Sequence, residues 1–151
     1  MRIAIGSDHA GYRLKRELGR FLAERGLIVD DLGNHDDEST DYPDYARAVG
    51  EAVARGAADL GLLVCGTGIG MAITANKVAG IRAAVCSDTY SARMSREHND
   101  ANVLCLGGRV VGVGLAEDIV RVWLEASFQG GRHVRRVEKI KALDAAFAPP
   151  G

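Results

Sequence analysis

LGLLVCGTGIG, residues 60–70, joins a short apolar run to three glycines spaced two apart. Leu62-Leu63-Val64 has the length and composition of a parallel strand buried on both faces. Gly66, Gly68 and Gly70 then predict a tight turn into a helix that begins Met71-Ala72-Ile73. Glycine lets the backbone approach a bound group closely and point successive N–H groups at it. A helix N-terminus behind such a turn adds partial positive charge, so the segment is suited to cradle a phosphate. Cys65 ends the strand at its carboxyl side, where open α/β sheets bind ligands. A thiol beside an anion site is the feature that needs a chemical explanation.

On both sides of this segment, strands and helices alternate. Ile3-Ala4-Ile5 predicts a first strand ending in Gly6-Ser7-Asp8-His9-Ala10-Gly11. Leu14, Leu18, Phe21 and Leu22 recur at helical spacing, with Gly26 as a stop. Leu27-Ile28-Val29 is a second strand, and Asp30 to Asp44 reads as an acidic loop. Ala46, Val49 and Val53 mark a second helix that closes near Gly56. Beyond the glycine turn, Ile81 to Cys86 predicts a fourth strand, and Ser87-Asp88 caps a helix that runs out near His98-Asn99-Asp100. Val103 to Leu106 is the fifth strand, ended by Gly107-Gly108-Arg109. Leu115, Ile119, Val122 and Trp123 would line one face of the next helix. A last helix, about 131–147, places Arg136, Ile140, Leu143 and Phe147 on a shared face, before a frayed tail at 148–151.

This alternation predicts an α/β class fold: a three-layer α/β/α sandwich around a five-stranded parallel sheet. A chain of 151 residues without a linker or repeat reads as one domain, 1–151. Aromatic residues make up only 5% of it, so Ala, Val, Leu and Ile must fill the core. The 19 basic and 20 acidic residues nearly cancel, which argues against a nucleic-acid or membrane-surface role. No apolar run approaches the roughly 20 residues of a membrane span. The first residues read as a strand and not as a signal peptide. Three widely spaced cysteines fit neither a disulfide framework nor a zinc site, and point to a reducing cytoplasm.

Polar residues collect at the strand ends: Asp8-His9, Cys65-Gly66-Thr67 and Arg109. His98-Asn99 precedes the fifth strand and so lies at its amino end. Either that loop folds back over the sheet or a second subunit supplies these two residues. Each has a plainer reading as well. Asp8 could cap the first helix, Cys65 could be a buried structural thiol, and His98 could complement a helix dipole. Cys86 and Cys105 read as structural, and His35 as solvated surface. On the last helix Arg132 and Arg136 stack four apart, beside Arg135 and Lys139. Like charges so placed repel, and basic residues oppose the dipole of a first turn. The stripe is either a solvated face or a two-arginine phosphate clamp. CGTGIG departs from the dinucleotide fingerprint and no P-loop occurs, so neither NAD nor ATP is expected. No His/Cys spacing offers a metal site. A thiol, a histidine, arginines and an anion cradle remain, equipment for proton transfer on a small phosphorylated molecule.

Seven blocks carry a family likeness: GSDHAG (6–11), TDYPDYA (40–46), CGTGIG (65–70), ANKVAGIRA (75–83), REHNDANVL (96–104), GGRVVG (107–112) and GGRHVRRV (130–137). In this order they resemble the ribose-5-phosphate isomerase B family, which includes allose-6-phosphate and galactose-6-phosphate isomerases. The resemblance implies a Rossmann-like subunit in a homodimer or homotetramer with shared active sites. It also implies a metal-free, cofactor-free aldose–ketose isomerisation of a small sugar phosphate through a cis-enediolate. By position, Cys65 matches the family's base and His98 its proton donor. Asp8, His9, Gly66, Thr67, Gly68, Ile69, Gly70, Asn99, Arg109, Arg132 and Arg136 match substrate-binding residues. Tyr42 and His133 lie in matching motifs. Some members carry a catalytic glutamate where this chain has Ile69; with Cys65 present, the chain resembles the thiolate branch. Galactose-6-phosphate enzymes pair two different chains, whereas Cys65 with Asp8, His9 and His98 fits a self-sufficient homo-oligomer.

On that likeness, ribose 5-phosphate and ribulose 5-phosphate are the expected substrate pair. Cys65 would move the proton between carbons, the glycine N–H groups would hold the enediolate oxygens, and Thr67 would relay the hydroxyl proton. His98 would open the ring and the arginines would grip the phosphate. Allose 6-phosphate, galactose 6-phosphate or a tetrose phosphate are alternative substrates. A non-catalytic sugar-phosphate sensor would not need the Cys65/His98 pair, and a thiol-redox protein would need a resolving cysteine.

Overall fold

In the computed structural model, which describes residues 1–150, five strands alternate with six helices. Strands β1 (Arg2–Ser7), β2 (Ile28–Asp31), β3 (Leu60–Cys65), β4 (Ala83–Val85) and β5 (Val103–Gly107) form one sheet. Helices α1 (Tyr12–Glu24), α2 (Tyr42–Ala54), α3 (Ile69–Ala75), α4 (Thr89–Glu97) and α5 (Val113–Glu125) connect and follow them, and α6 (Arg132–Ala146) closes the chain. Every strand pair is parallel, in the order β2-β1-β3-β5-β4. Parallel neighbours require crossovers, which the helices provide.

The two-residue period of β3 divides the core. Leu62 and Val64 face the helices α1, α4 and α5, packing with Leu18, Ile119 and Trp123. Leu63 and Cys65 face α2 and α3, packing with Val49, Met71 and Ala75. All six residues of β3 and all five of β5 are buried, which explains why these strands read as continuous apolar runs. From β1 the winding proceeds one way to β2 and the other way to β3. The carboxyl ends of β1 and β3 therefore flank the point where strand order reverses, the place at which such sheets bind ligands.

Several expectations shift. The loop from Asp30 yields Asp30 and Asp31 to β2 and ends at Asp41, because Pro43 suits the first turn of α2. Strand β4 keeps only Ala83–Val85 of the expected 81–86. Its free edge is closed at Ala83, whose N–H and carbonyl both bond the Asn76 side-chain amide, at 2.8 and 3.0 Å. On α5 the buried face is Ala116, Ile119, Val120 and Trp123; Leu115 is exposed. On α6 the buried residues are His133 and Val137. Ile140, Leu143 and Phe147 are 45%, 55% and 82% exposed, so the expected apolar face is not buried against its own chain. Asp88 does cap α4, accepting from the Ser91 N–H at 2.6 Å. Of the tail, Gly151 lies outside the described residues.

Candidate active site

The turn after β3 is held from beneath by the end of β5. A Cβ on Gly107 would lie 2.8 Å from Thr67 Cα, so only glycine admits this approach. Two backbone bonds then tie the turns together: Gly108 N–H to the Cys65 carbonyl at 2.7 Å, and Arg109 N–H to the Gly66 carbonyl at 3.1 Å. They bring Arg109 over Gly66, where a Cβ would sit 3.6 Å from Nη1. Gly68 adopts φ +82°, a left-handed conformation that suits glycine. Its N–H is thereby turned back onto Cys65 Sγ, 3.1 Å away. The sulfur is a hydrogen-bond acceptor here. Thr67 Oγ1 accepts from the Ile69 N–H at 3.2 Å.

The opposite wall comes from β1 and α2. Asp8 is buried; its N–H bonds the Val64 carbonyl at 3.3 Å and its Oδ1 accepts from Gly11 N–H at 3.0 Å. Asp8 is not the cap of α1, whose N-cap is Gly11 without a side-chain bond; it ties the turn ahead of the helix and lines the cleft. His9 Nδ1 accepts from the Thr40 N–H at 3.2 Å. A neutral ring so bonded carries its proton on Nε2, which is left as a donor. Tyr42 packs on Gly70, where a Cβ would come within 2.6 Å of the ring.

Asp8, His9, Tyr42, Cys65, Gly66, Thr67, Ile69, Gly70 and Arg109 line one cleft of about 440 Å³, with Ala10 and Ile73. Gly68 lies beneath it, with its N–H on the sulfur. His98, Asn99, Arg132 and Arg136 do not line it. The loop carrying His98 and Asn99 enters β5 at its amino end, one strand length, about 16 Å, from the carboxyl edge that holds Cys65. These four residues belong to a second cluster. His98, which caps the C-terminus of α4, stacks on His133 at the start of α6, the helix of Arg132 and Arg136. Partial burial and the neighbouring His98, Arg132 and Arg136 hold the His133 pKa below its ordinary value.

Cys86 and Cys105 are buried apart from the cleft. Burial pushes the Cys86 thiol up to about 11 and the Cys105 thiol well above the usual range. Thr40, Ala10 and Ile73 had no role in the sequence reading. Thr40 opens the TDYPDYA block, and a backbone N–H donor leaves no other trace in a sequence.

Residues 3–140 match the model of the Ribose/Galactose Isomerase family. The chain is 56% identical over 143 residues to ribose-5-phosphate isomerase B of Escherichia coli, covering 95% of this chain and 96% of that one. It is 48% identical to D-erythrulose-4-phosphate isomerase of Pectobacterium atrosepticum, over 91% of each chain. The Clostridium thermocellum ribose-5-phosphate isomerase B structure superposes with a TM-score of 0.97 and 59% identity, over 98% of this chain and all of that one. With the switch-point cleft, this likeness over nearly the whole length places the chain in the Ribose/Galactose Isomerase family, as a sugar-phosphate isomerase.

Proposed function

We propose that the enzyme interconverts ribose 5-phosphate and ribulose 5-phosphate, acting as one domain, 1–151, in a homo-oligomer whose sites draw on two copies. The observation that carries this reading is the Cys65 sulfur, a cleft-lining acceptor of the Gly68 N–H, with Arg109 overhead. A base is needed because the C2 proton of an aldose is weakly acidic until the neighbouring carbonyl is polarised. The Cys65 thiolate takes that proton, and the pair left on C2 forms the double bond of a cis-enediolate. The thiol returns the proton to C1, while the hydroxyl proton passes from O2 to O1 with Thr67 as relay. In the first turn of α3 the Ile69 N–H already bonds Thr67 Oγ1, whereas the N–H of cleft-lining Gly70 lacks an intrahelical acceptor and would bond an enediolate oxygen.

Ribose 5-phosphate is mostly cyclic, so a donor must first protonate the ring oxygen, the role given to His98. His98, Asn99, Arg132 and Arg136 lie outside the cleft of their own chain, and a second copy therefore delivers them. Exposed Ile69 and Ile73 at the rim, Ile140 and Leu143 on α6, and Phe147 just after it, are apolar surface that such a copy would cover. Arg109, Arg132 and Arg136 then hold the phosphate.

Two measurements test the reading. Cys65→Ala should lower turnover of ribose 5-phosphate by about a thousandfold, as expected for a lost base or nucleophile. Nearly unchanged turnover removes the thiolate mechanism. The 48% identity to a four-carbon phosphate isomerase favours a tetrose phosphate as the second reading. Comparing kcat/KM for four-, five- and six-carbon phosphates decides between them.

A further inference from the structure

Two blocks singled out in the sequence, ANKVAGIRA and REHNDANVL, meet in the structure through one side chain. Arg82, at the entry to β4, has a side chain only 13% exposed. Its Nε donates to the carbonyls of Asn99 and Asp100, both at 3.0 Å. Its Nη2 donates to the Asp100 carbonyl at 2.8 Å and reaches Asp100 Oδ2 at 3.3 Å. Asp100 is the non-glycine residue with positive φ, +47°, a conformation that costs free energy unless neighbours hold it. On the far side Arg96, 16% exposed, lies 3.6 Å from Asp100 Oδ1 and has its guanidinium over the Trp123 ring. Arg82 is itself fixed, since its N–H bonds Asn102 Oδ1 at 2.8 Å. The turn that follows His98 is thus clamped from two elements of the core, and neither arginine lines the cleft.

We propose that Arg82 is a positioning residue: its forked guanidinium sets the left-handed turn at Asp100 and so aims Asn99 and His98 at the substrate. This rests on the reading above, in which those two residues serve the reaction. The argument is one of geometry. A loop with free carbonyls and an unfavourable φ relaxes when its clamp is removed, and the residues just before it relax too. Misplacement of a reacting group by about 1 Å costs on the order of a hundredfold in rate. Lysine cannot replace the clamp, because a point charge lacks the planar fork that spans two carbonyls.

The test separates ring opening from proton transfer. Ribulose 5-phosphate cannot close a furanose ring, since its O5 carries the phosphate. Exchange of its C1 proton with solvent deuterium therefore needs Cys65 but no ring-opening acid. R82K and R82A are assayed for ribose 5-phosphate turnover and for that exchange, beside H98N, with thermal unfolding recorded for each. The proposal expects R82K to lose about tenfold or more in turnover while exchange at saturating substrate stays within about threefold. R82A should behave likewise wherever it remains folded. Turnover and exchange falling together in R82K, or both staying at wild-type level, overturns the positioning role. Wild-type turnover in H98N would instead strike the underlying reading, and this proposal with it.

Discussion

His98 and His133 stack face to face, ring centroids 4.2 Å apart and planes 12° from parallel. His133 has a folded-state pKa below the ordinary 6.5, through partial burial first and then His98, Arg132 and Arg136. The unfolded chain lacks these neighbours and takes up the proton at higher pH. The stability contributed by neutral His133 is therefore fully present above about pH 6.5 and is lost as pH falls through the folded-state value. Thermal unfolding scanned from about pH 8 to about pH 5 should show Tm declining on the acid side. H133F keeps a stacking ring without a titrating nitrogen, and should flatten that decline. An acid limb unchanged in H133F would assign it to other groups.

The three cysteines should differ sharply towards an alkylating agent. Cys65 lines the cleft, while burial raises Cys86 to about 11 and Cys105 well above the usual thiol range. Thiolate is the reacting species, so iodoacetamide on the native protein should modify Cys65 alone. Ribose 5-phosphate should protect it, since the sugar would occupy the same cleft. Peptide mass spectrometry reads both results. Modification of Cys86 or Cys105 before Cys65, the one of the three that lines the cleft, would contradict this order.

How far the sequence was readable depends on the range of the interactions involved. Strands β1, β3 and β5 announced themselves because apolar runs and glycine stops are local signals. Asp8 and Cys65 could be placed at strand ends for the same reason. Strand order could not, since pairing β3 with both β1 and β5 joins segments far apart in the chain. Leu115 misled because two overlapping stripes on α5 share Ile119 and Trp123, and only packing selects the one with Ala116 and Val120. On α6 the periodicity of Ile140, Leu143 and Phe147 revealed an apolar stripe but not what covers it. Arg82 carries no signal of its own in the sequence, because its partners are mainly backbone carbonyls, which every residue possesses.

The Lys15 side chain is fully buried, which nothing in the sequence around it signals. Its Nζ lies 2.7 Å from Asp31 Oδ1 and donates to the Asn34 carbonyl. Asn34 in turn is bonded to Ser7, through its N–H to the Ser7 carbonyl at 2.9 Å and from the Ser7 hydroxyl at 3.1 Å. This clip joins α1 to the end of β1 directly before Asp8. Lys15→Met keeps the aliphatic stem but leaves the Asn34 carbonyl unpaired, for about 1–3 kcal/mol of lost stability. The 39% exposure of Asp31 lets water take over its share, which holds the cost to that range. Denaturant unfolding measures it, and a loss below about 0.5 kcal/mol would mean the clip is dispensable.

The proposed division of the site between copies has a sharp consequence. Cys65→Ala and His98→Asn should each be nearly inactive, since on the proposed mechanism one removes the base and the other the ring-opening acid. Mixing them after mild dissociation forms hybrids in which one site carries both lesions and the other carries neither. If each site takes Cys65 from one copy and His98 from its partner, a statistical mixture of dimers regains about a quarter of wild-type activity. If one chain supplied both residues, every site in every hybrid would hold one lesion, and mixing would restore nothing. Cys65 ends β3 at its carboxyl side while His98 follows α4 ahead of the amino end of β5, so the proposed shared site expects the recovery, and its absence would overturn that division.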